Sequence, residues 1–199
     1  SLGGAEIRRN YSICSPAGSG VLQVAVKALP GGVFSAWVNE QLAVGDVVDV
    51  MTPTGRFTTP LVRGQAKHYT AVVAGSGITP VLSIVSTILA QEPASRFTLL
   101  YGNRTTSSIM FLEELADLKD RYPDRFALFH VLSREPVEAD LLHGRLDPDK
   151  LSAFLDTLLP ASEVDEWFLC GPFEMVVASR ELLVSRGVDP AHVHSELFH

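Results

Sequence analysis

Apolar positions along the chain follow two regimes that meet near residue 65. Before it, short apolar runs are broken by glycine and proline. Leu22-Gln23-Val24-Ala25-Val26-Lys27 alternates apolar with polar or small residues and predicts a half-buried strand. Val47-Val48-Asp49-Val50-Met51 predicts another, and Pro30-Gly31-Gly32 and Pro53-Thr54-Gly55 read as turns. Ser35 to Glu40 has room for one helical turn or a short helix. Together these resemble part of a small antiparallel barrel. From about His68 onward, strand and helix patterns alternate. Strands are predicted at Tyr69–Ala74, Phe97–Tyr101, Ala127–Leu132, Glu166–Cys170 and His192–Phe198, with helices at Pro80–Gln91, Ser107–Arg121, Asp149–Leu159 and Glu174–Ser185. Pro80 and Pro172 fall at or near first helical turns, where a missing N–H costs nothing. This alternation implies a parallel sheet with helices on both faces, so the expectation is α/β plus β, with domains at 1–65 and 66–199.

Two glycine-bearing turns stand out against that background. Gly75-Ser76-Gly77-Ile78-Thr79-Pro80 follows the first predicted strand of the second region, and Cys170-Gly171-Pro172 follows the fourth. A glycine-rich strand-to-helix turn exposes backbone N–H groups and a positive helix end, which suits a pyrophosphate. The first turn departs from GxGxxG in its last position, and a tight structural turn is its plainer reading. The next two strands end in Asn103-Arg104 and Ser133-Arg134, with no acid after the second strand to hold a ribose 2′-hydroxyl. Arginine matches a phosphate better, which leans towards NADPH over NADH, although either residue also reads as a solvated loop cation. Cys170 has no base beside it in sequence and is expected to pack and position, not to act as a nucleophile. In the first region Arg9 and Tyr11 share a strand face, with Ser12 opposite, so a cation and a flat ring would meet one ligand. Gly31-Gly32-Val33-Phe34-Ser35 offers backbone donors for a further phosphate contact, or simply a turn.

Composition narrows the classes. The formal charge is 16 − 23 = −7 with no cluster of Lys or Arg, which argues against nucleic acid as a partner. Two cysteines, Cys14 and Cys170, form no CxxC pair, so neither a disulfide framework nor a zinc site is expected, and a reducing cytoplasm is the natural home. The six histidines are scattered; His192 and His194 share a strand face but are not read as metal ligands. No apolar run has membrane-spanning length.

Arg9-x-Tyr11-Ser12, Gly32-x-x-Ser35, Gly75-x-Gly77-x-x-Pro80 and Cys170-Gly171-Pro172-x-x-Met175 occur in the order found in the ferredoxin–NADP reductase superfamily, which the chain resembles over nearly its whole length. Tyr101-Gly102-Asn103-Arg104 and Ser108-Ile109-Met110-Phe111-Leu112-Glu113-Glu114-Leu115 narrow the resemblance to the reductase subunits of phenylacetyl-CoA oxygenase (epoxidase) and its ring-hydroxylase and steroid-hydroxylase relatives. The resemblance implies a partial flavin-binding barrel followed by a Rossmann-like NADP-binding domain. Arg9 would bind the FAD pyrophosphate, Tyr11 would pack on the flavin, and Ser12 would lie near its N5, with Gly32, Phe34 and Ser35 completing that side. Gly75, Gly77, Ile78, Thr79 and Pro80 would hold the nucleotide, with Thr79 near the nicotinamide. Arg104, Ser133 and Arg134 would recognise the adenosine end. Cys170, with Gly171, Pro172 and Met175, would border the nicotinamide, and Glu196 resembles the acid such reductases place near the flavin. Ser12, Cys170 and Glu196 are thus expected at the reacting rings.

The resemblance also implies electron flow from NADPH (or NADH) through FAD to a [2Fe–2S] centre and then to an oxygenase or ferredoxin. Relative to the family, the opening barrel strands and a C-terminal ferredoxin-like domain are expected to be missing here, so the chain reads as a fragment. Exposed barrel edges would be covered by a second copy, making a homodimer an expectation. A stand-alone flavin or ferredoxin reductase and a non-catalytic nucleotide-binding module remain the alternatives.

Overall fold

In the computed structural model, which describes residues 7–198, the apolar runs after residue 67 become five strands: β1 (His68–Ala74), β2 (Arg96–Asn103), β3 (Phe126–Leu132), β4 (Glu166–Pro172) and β5 (Val193–Phe198). All pair in parallel, in the order β3-β2-β1-β4-β5. Central strands β1, β2 and β4 are buried on both faces, which is why they read as continuous apolar runs and not as alternations.

Five helices accompany the sheet: α1 (Val33–Glu40), α2 (Ile78–Gln91), α3 (Leu112–Arg121), α4 (Pro148–Thr157) and α5 (Phe173–Ser185). On one face, Tyr69, Ala71, Val73, Leu99, Tyr101 and Phe168 pack against α2 and α3 through Val81, Val85, Leu115 and their neighbours. On the other, Val72, Leu100, Trp167 and Leu169 meet Leu151, Phe154 and Leu155 of α4 and Val176 and Leu183 of α5. The expectation of a parallel sheet with helices on both faces holds.

Three expectations need correction. The predicted helix over Ser107–Arg121 begins only at Leu112. Thr106–Ser108 is a separate 3₁₀ turn, and Phe111 takes a left-handed φ of 60°, which no right-handed helix can carry through. His192 belongs to a 3₁₀ turn (Pro190–His192) and not to the last strand. The predicted strands at Leu22–Lys27 and Val47–Met51 form no ladder. Among the described residues the antiparallel barrel is represented by one bridge, Ile13 to Val24, with the Cys14 N–H donating to the Gln23 carbonyl at 2.9 Å. Apolar patterning gives a segment its faces, but a strand also needs a neighbour's N–H and C=O groups along its edge, and beyond that single bridge no ladder forms along these two segments among the described residues.

The first region is nonetheless attached to the sheet. Cys14, Ala25, Phe57 and Leu61 join the α2 side of the core, and Phe57 meets Phe168 edge-on at 5.5 Å. Ser83 Oγ donates to the Ser15 carbonyl (2.7 Å), and the Ala17 N–H donates to Thr87 Oγ1 (2.9 Å). At the far end of α2, buried Glu92 accepts from the Val62 N–H (2.9 Å), Gln65 Nε2, Tyr69 Oη (2.8 Å) and Ser95 Oγ (2.7 Å). Burial works to raise the Glu92 pKa, yet these four donors hold it below the usual carboxylate value.

Candidate functional site

The strand order reverses between β1 and β4, and a crevice at the carboxyl ends of such strands is where open α/β sheets bind ligands. Both glycine turns lie there. After β1, Gly75 adopts φ 56°, and Gly75–Gly77 forms a 3₁₀ turn that runs directly into α2. The α2 N-terminus has no side-chain cap and no acid in its first turn, so its positive end is not neutralised locally. A Cβ on Gly77 would collide with the Cys170 carbonyl oxygen. Gly171 sits at φ 154°, and a Cβ there would lie 2.9 Å from Met175 Cε and 3.2 Å from the Ala74 nitrogen. The two turns therefore interlock, each requiring glycine where the other's backbone passes. Tyr101 Oη donates to the Gly75 carbonyl at 2.9 Å and fixes the turn from beneath; burial pushes its pKa up to about 12.

Ser12, from the first region, reaches this crevice. Its Oγ donates to Glu196 Oε1 at 2.6 Å, joining residues 184 positions apart. Glu196 lies on β5 directly opposite Cys170 on β4. Cys170 is fully buried, and burial, reinforced by the Glu196 charge, drives its pKa far up. Both effects favour the protonated thiol.

Two further clusters flank the crevice. Tyr11 stacks on Phe34 with ring centroids 5.7 Å apart at 29°, while Arg9 is exposed and bonds the Arg8 carbonyl at 2.7 Å. Burial raises the Tyr11 pKa, with Arg9 opposing. On the other side, the loops after β2 and β3 continue the parallel ladder beyond its last pair. The Ser133 N–H donates to the Asn103 carbonyl (3.0 Å), and the Arg134 N–H donates to the Arg104 carbonyl (2.8 Å).

Residues 72–181 match the family described as an oxidoreductase NAD-binding domain, and residues 2–59 match an oxidoreductase FAD-binding domain. A subunit of the 1,2-phenylacetyl-CoA epoxidase of Escherichia coli K12 is 44% identical over 198 residues, covering 100% of this chain and 56% of that protein. The ferredoxin reductase component of 3-ketosteroid-9-alpha-monooxygenase from Mycobacterium tuberculosis is 33% identical, covering 97% of this chain and 50% of its own. The crystal structure of an Amycolatopsis cytochrome P450 reductase superposes with a TM-score of 0.84 at 30% identity, over 98% of this chain and 58% of that one. This chain belongs to the ferredoxin reductase family of FAD- and NAD-binding oxidoreductases. It spans about half the length of the curated relatives named here.

Within this reductase fold, the structure brings Ser12, Glu196, Cys170, Gly171 and Gly77 to one place. Thr79 is buried and its hydroxyl donates to the Ser76 carbonyl (3.0 Å), bracing the turn. Ile78 and Pro80 turn their side chains into the core. Met175 packs half-buried beneath Gly171, while Pro172 is exposed at the head of α5. Ser35 is committed locally: its Oγ donates to the Gly32 carbonyl and accepts the Leu29 N–H, both at 3.2 Å, and a Cβ on Gly32 would strike it. Arg104 and Arg134 are exposed, and neither guanidinium has a partner among the described residues. No group of three or more His, Cys, Asp or Glu among the described residues could hold a metal ion, and no described helix is long and apolar enough to cross a membrane. Sequence reading misses two roles at the site: the bracing by Tyr101, noted there only within the Tyr101–Arg104 motif, and Glu135, whose carboxylate takes the Thr106 N–H (2.6 Å) and Thr106 hydroxyl (3.0 Å). An acid directly after Ser133-Arg134 is the available signal for the second.

The residues present fit a dinucleotide and a flavin on structural grounds. The glycine pair brings the two turns into direct backbone contact beside an uncapped helix end, next to a hydroxyl–carboxylate pair and a neutral thiol.

Proposed function

We propose that this chain is the flavin- and nucleotide-binding part of a reductase component that draws on NADPH and FAD, delivers electrons by way of a [2Fe–2S] centre, and serves an oxygenase such as phenylacetyl-CoA epoxidase. On this reading residues 1–65 belong to the FAD-binding portion and 66–199 to the nucleotide-binding portion. Bound FAD would supply the chemistry that couples two-electron hydride donors to one-electron acceptors. The observation that carries the reading is the 2.6 Å Ser12–Glu196 hydrogen bond, because it closes the flavin-side segment onto the crevice lined by Cys170.

Arg9 and the Gly32–Ser35 turn would hold the flavin pyrophosphate, with Tyr11 and Phe34 giving an aromatic wall. The α2 N-terminus and the Gly75–Gly77 turn would take the nucleotide pyrophosphate. Cys170 would keep a neutral, polarisable thiol behind the crevice, and Gly171 lets its turn pack closely on Ala74 and Met175. Ser12 keeps its proton directed at Glu196, so the pair holds one shared proton in place beside the rings. Arg104, Ser133 and Arg134 would recognise a ribose 2′-phosphate through charge-assisted hydrogen bonds. With only Cys14 and Cys170, both buried, this chain does not itself supply the four thiolates of an iron–sulfur centre.

The visible spectrum of the purified chain, before and after FAD and then anaerobic NADPH, tests the reading. Flavin bands that appear on protein-bound FAD and bleach with NADPH are expected. A chain that binds NADP⁺ but neither retains nor reduces FAD would overturn the redox role and leave a nucleotide-binding module.

A further inference from the structure

We infer that Glu135 is a positioning residue for the adenosine end of the nucleotide, holding Arg104 and Arg134 side by side so that both can meet one 2′-phosphate. The inference rests on the NADPH reading above and adds a residue that does not itself touch the nucleotide.

The geometry starts from the β2–β3 ladder, whose last paired residues are Asn103 and Leu132. Beyond them the two loops stay together through two main-chain rungs, Ser133 N–H to Asn103 C=O and Arg134 N–H to Arg104 C=O. The loops then diverge, because Thr105 is the extended N-cap of the Thr106–Ser108 turn and its reciprocal bonds with Ser108 curl the β2 loop away. A third main-chain rung is no longer possible. Glu135 replaces it with a side chain: Oε2 takes the Thr106 N–H at 2.6 Å and Oε1 takes the Thr106 hydroxyl at 3.0 Å. The carboxylate thus closes the gap one step past the two arginines.

Such a clasp is needed because the arginines repel each other. Neither guanidinium has a counter-charge among the described residues and both are exposed, so past the two main-chain rungs the Glu135–Thr106 contact is what ties the loops together. Two opposite effects follow from the same carboxylate. Its charge disfavours a nearby phosphate, whereas its two hydrogen bonds hold the cations where a phosphate needs them. Both oxygens are already engaged by Thr106, so the carboxylate is turned to the loop and the second effect is expected to dominate.

The test is calorimetric titration of the full 199-residue chain with 2′-phospho-AMP and with AMP, neither of which needs flavin. Wild-type protein is expected to prefer the 2′-phosphorylated ligand. Glu135→Ala should weaken 2′-phospho-AMP by about tenfold while leaving AMP unchanged, AMP serving as the check that the variant is folded. Glu135→Gln keeps an acceptor for the Thr106 N–H and removes the charge, so it should bind 2′-phospho-AMP as tightly as wild type or more tightly. An Ala variant that keeps the wild-type preference, or a Gln variant as weak as Ala, overturns the positioning role and leaves the NADPH reading standing. A wild-type chain that does not distinguish the two ligands overturns both.

Discussion

Val72 and Val47 are the same residue in two environments. Val72, in β1, is sealed between β2, β4 and the helices of the second core, whereas Val47 is 93% exposed in a segment that reads as a strand and has no described strand beside it. The contrast runs through the molecule. Downstream of residue 67 every strand finds a hydrogen-bonding edge and a covering helix. Upstream, α1, one β-bridge and a few contacts onto α2 carry the structure. Apolar character alone does not stabilise a segment; removing it from water does.

Substitutions can break that contrast or sharpen it. Phe154→Ala on α4 empties a fully buried site and should lower unfolding free energy by about 3–5 kcal/mol in denaturant titrations. If it does not, the sheet is less consolidated than its burial indicates. Glu92→Ala leaves the Val62 N–H, Tyr69 Oη and Ser95 Oγ without their acceptor and should cost about 2–4 kcal/mol. Its signature distinguishes it from a plain core defect: amide exchange should rise first at Val62 to Gln65, where the first region joins the sheet. Gly77→Ala forces a Cβ onto the Cys170 carbonyl and should cost about 1–3 kcal/mol, with weaker NADP⁺ binding in the same titration; unchanged binding would mean the interlocked turns are not the nucleotide cradle.

Acidification should separate the regions more gently. His68 and His130 both have pKa values below the ordinary 6.5, His68 chiefly through burial with Arg96 adding to it, and His130 through burial. Below 6.5 the unfolded chain therefore binds more protons than the native one, and the stability these groups provide is full above 6.5 and lost as pH falls through their native values. Residues 7–66 contain no histidine, so between pH 7 and 5 the loss should register on sheet reporters such as Trp167 and not at Trp37. The smallest effect belongs to Val47→Ala, expected within about 0.5 kcal/mol of wild type. A larger loss would show that the exposed segment is covered in solution.

Legibility in the sequence follows the same divide. Strand positions such as Tyr69–Ala74 and Phe97–Tyr101 are readable because burial on both faces makes them uniformly apolar. Leu22–Lys27 shows a valid alternation, but pairing is a property of two segments, and one segment's pattern does not state it. The pattern over 107–121 overextends its helix because Ile109-Met110-Phe111 is apolar enough to continue one, while the left-handed φ of Phe111 is set by tertiary packing and has no signature in residue type. At the site, Gly77 and Gly171 are legible because close backbone approach admits only glycine, and Gly75 because its φ of 56° favours one. Glu196 comes from resemblance alone, since its hydrogen bond to Ser12 spans the chain. Glu135 stays hidden because its partner, Thr106, lies on a different loop.

Glu92 sets a rule for anyone recombining these halves. A cut after residue 66 would look natural, since it falls between an irregular segment and the first strand. Yet Val62 and Gln65 would leave with one piece and the carboxylate they satisfy would stay with the other. A chimera that grafts this sheet onto a foreign flavin module should carry residues 62–65 across with it, or replace Glu92 by an apolar residue at the same time. The module's seam, in that sense, lies several residues upstream of its first strand.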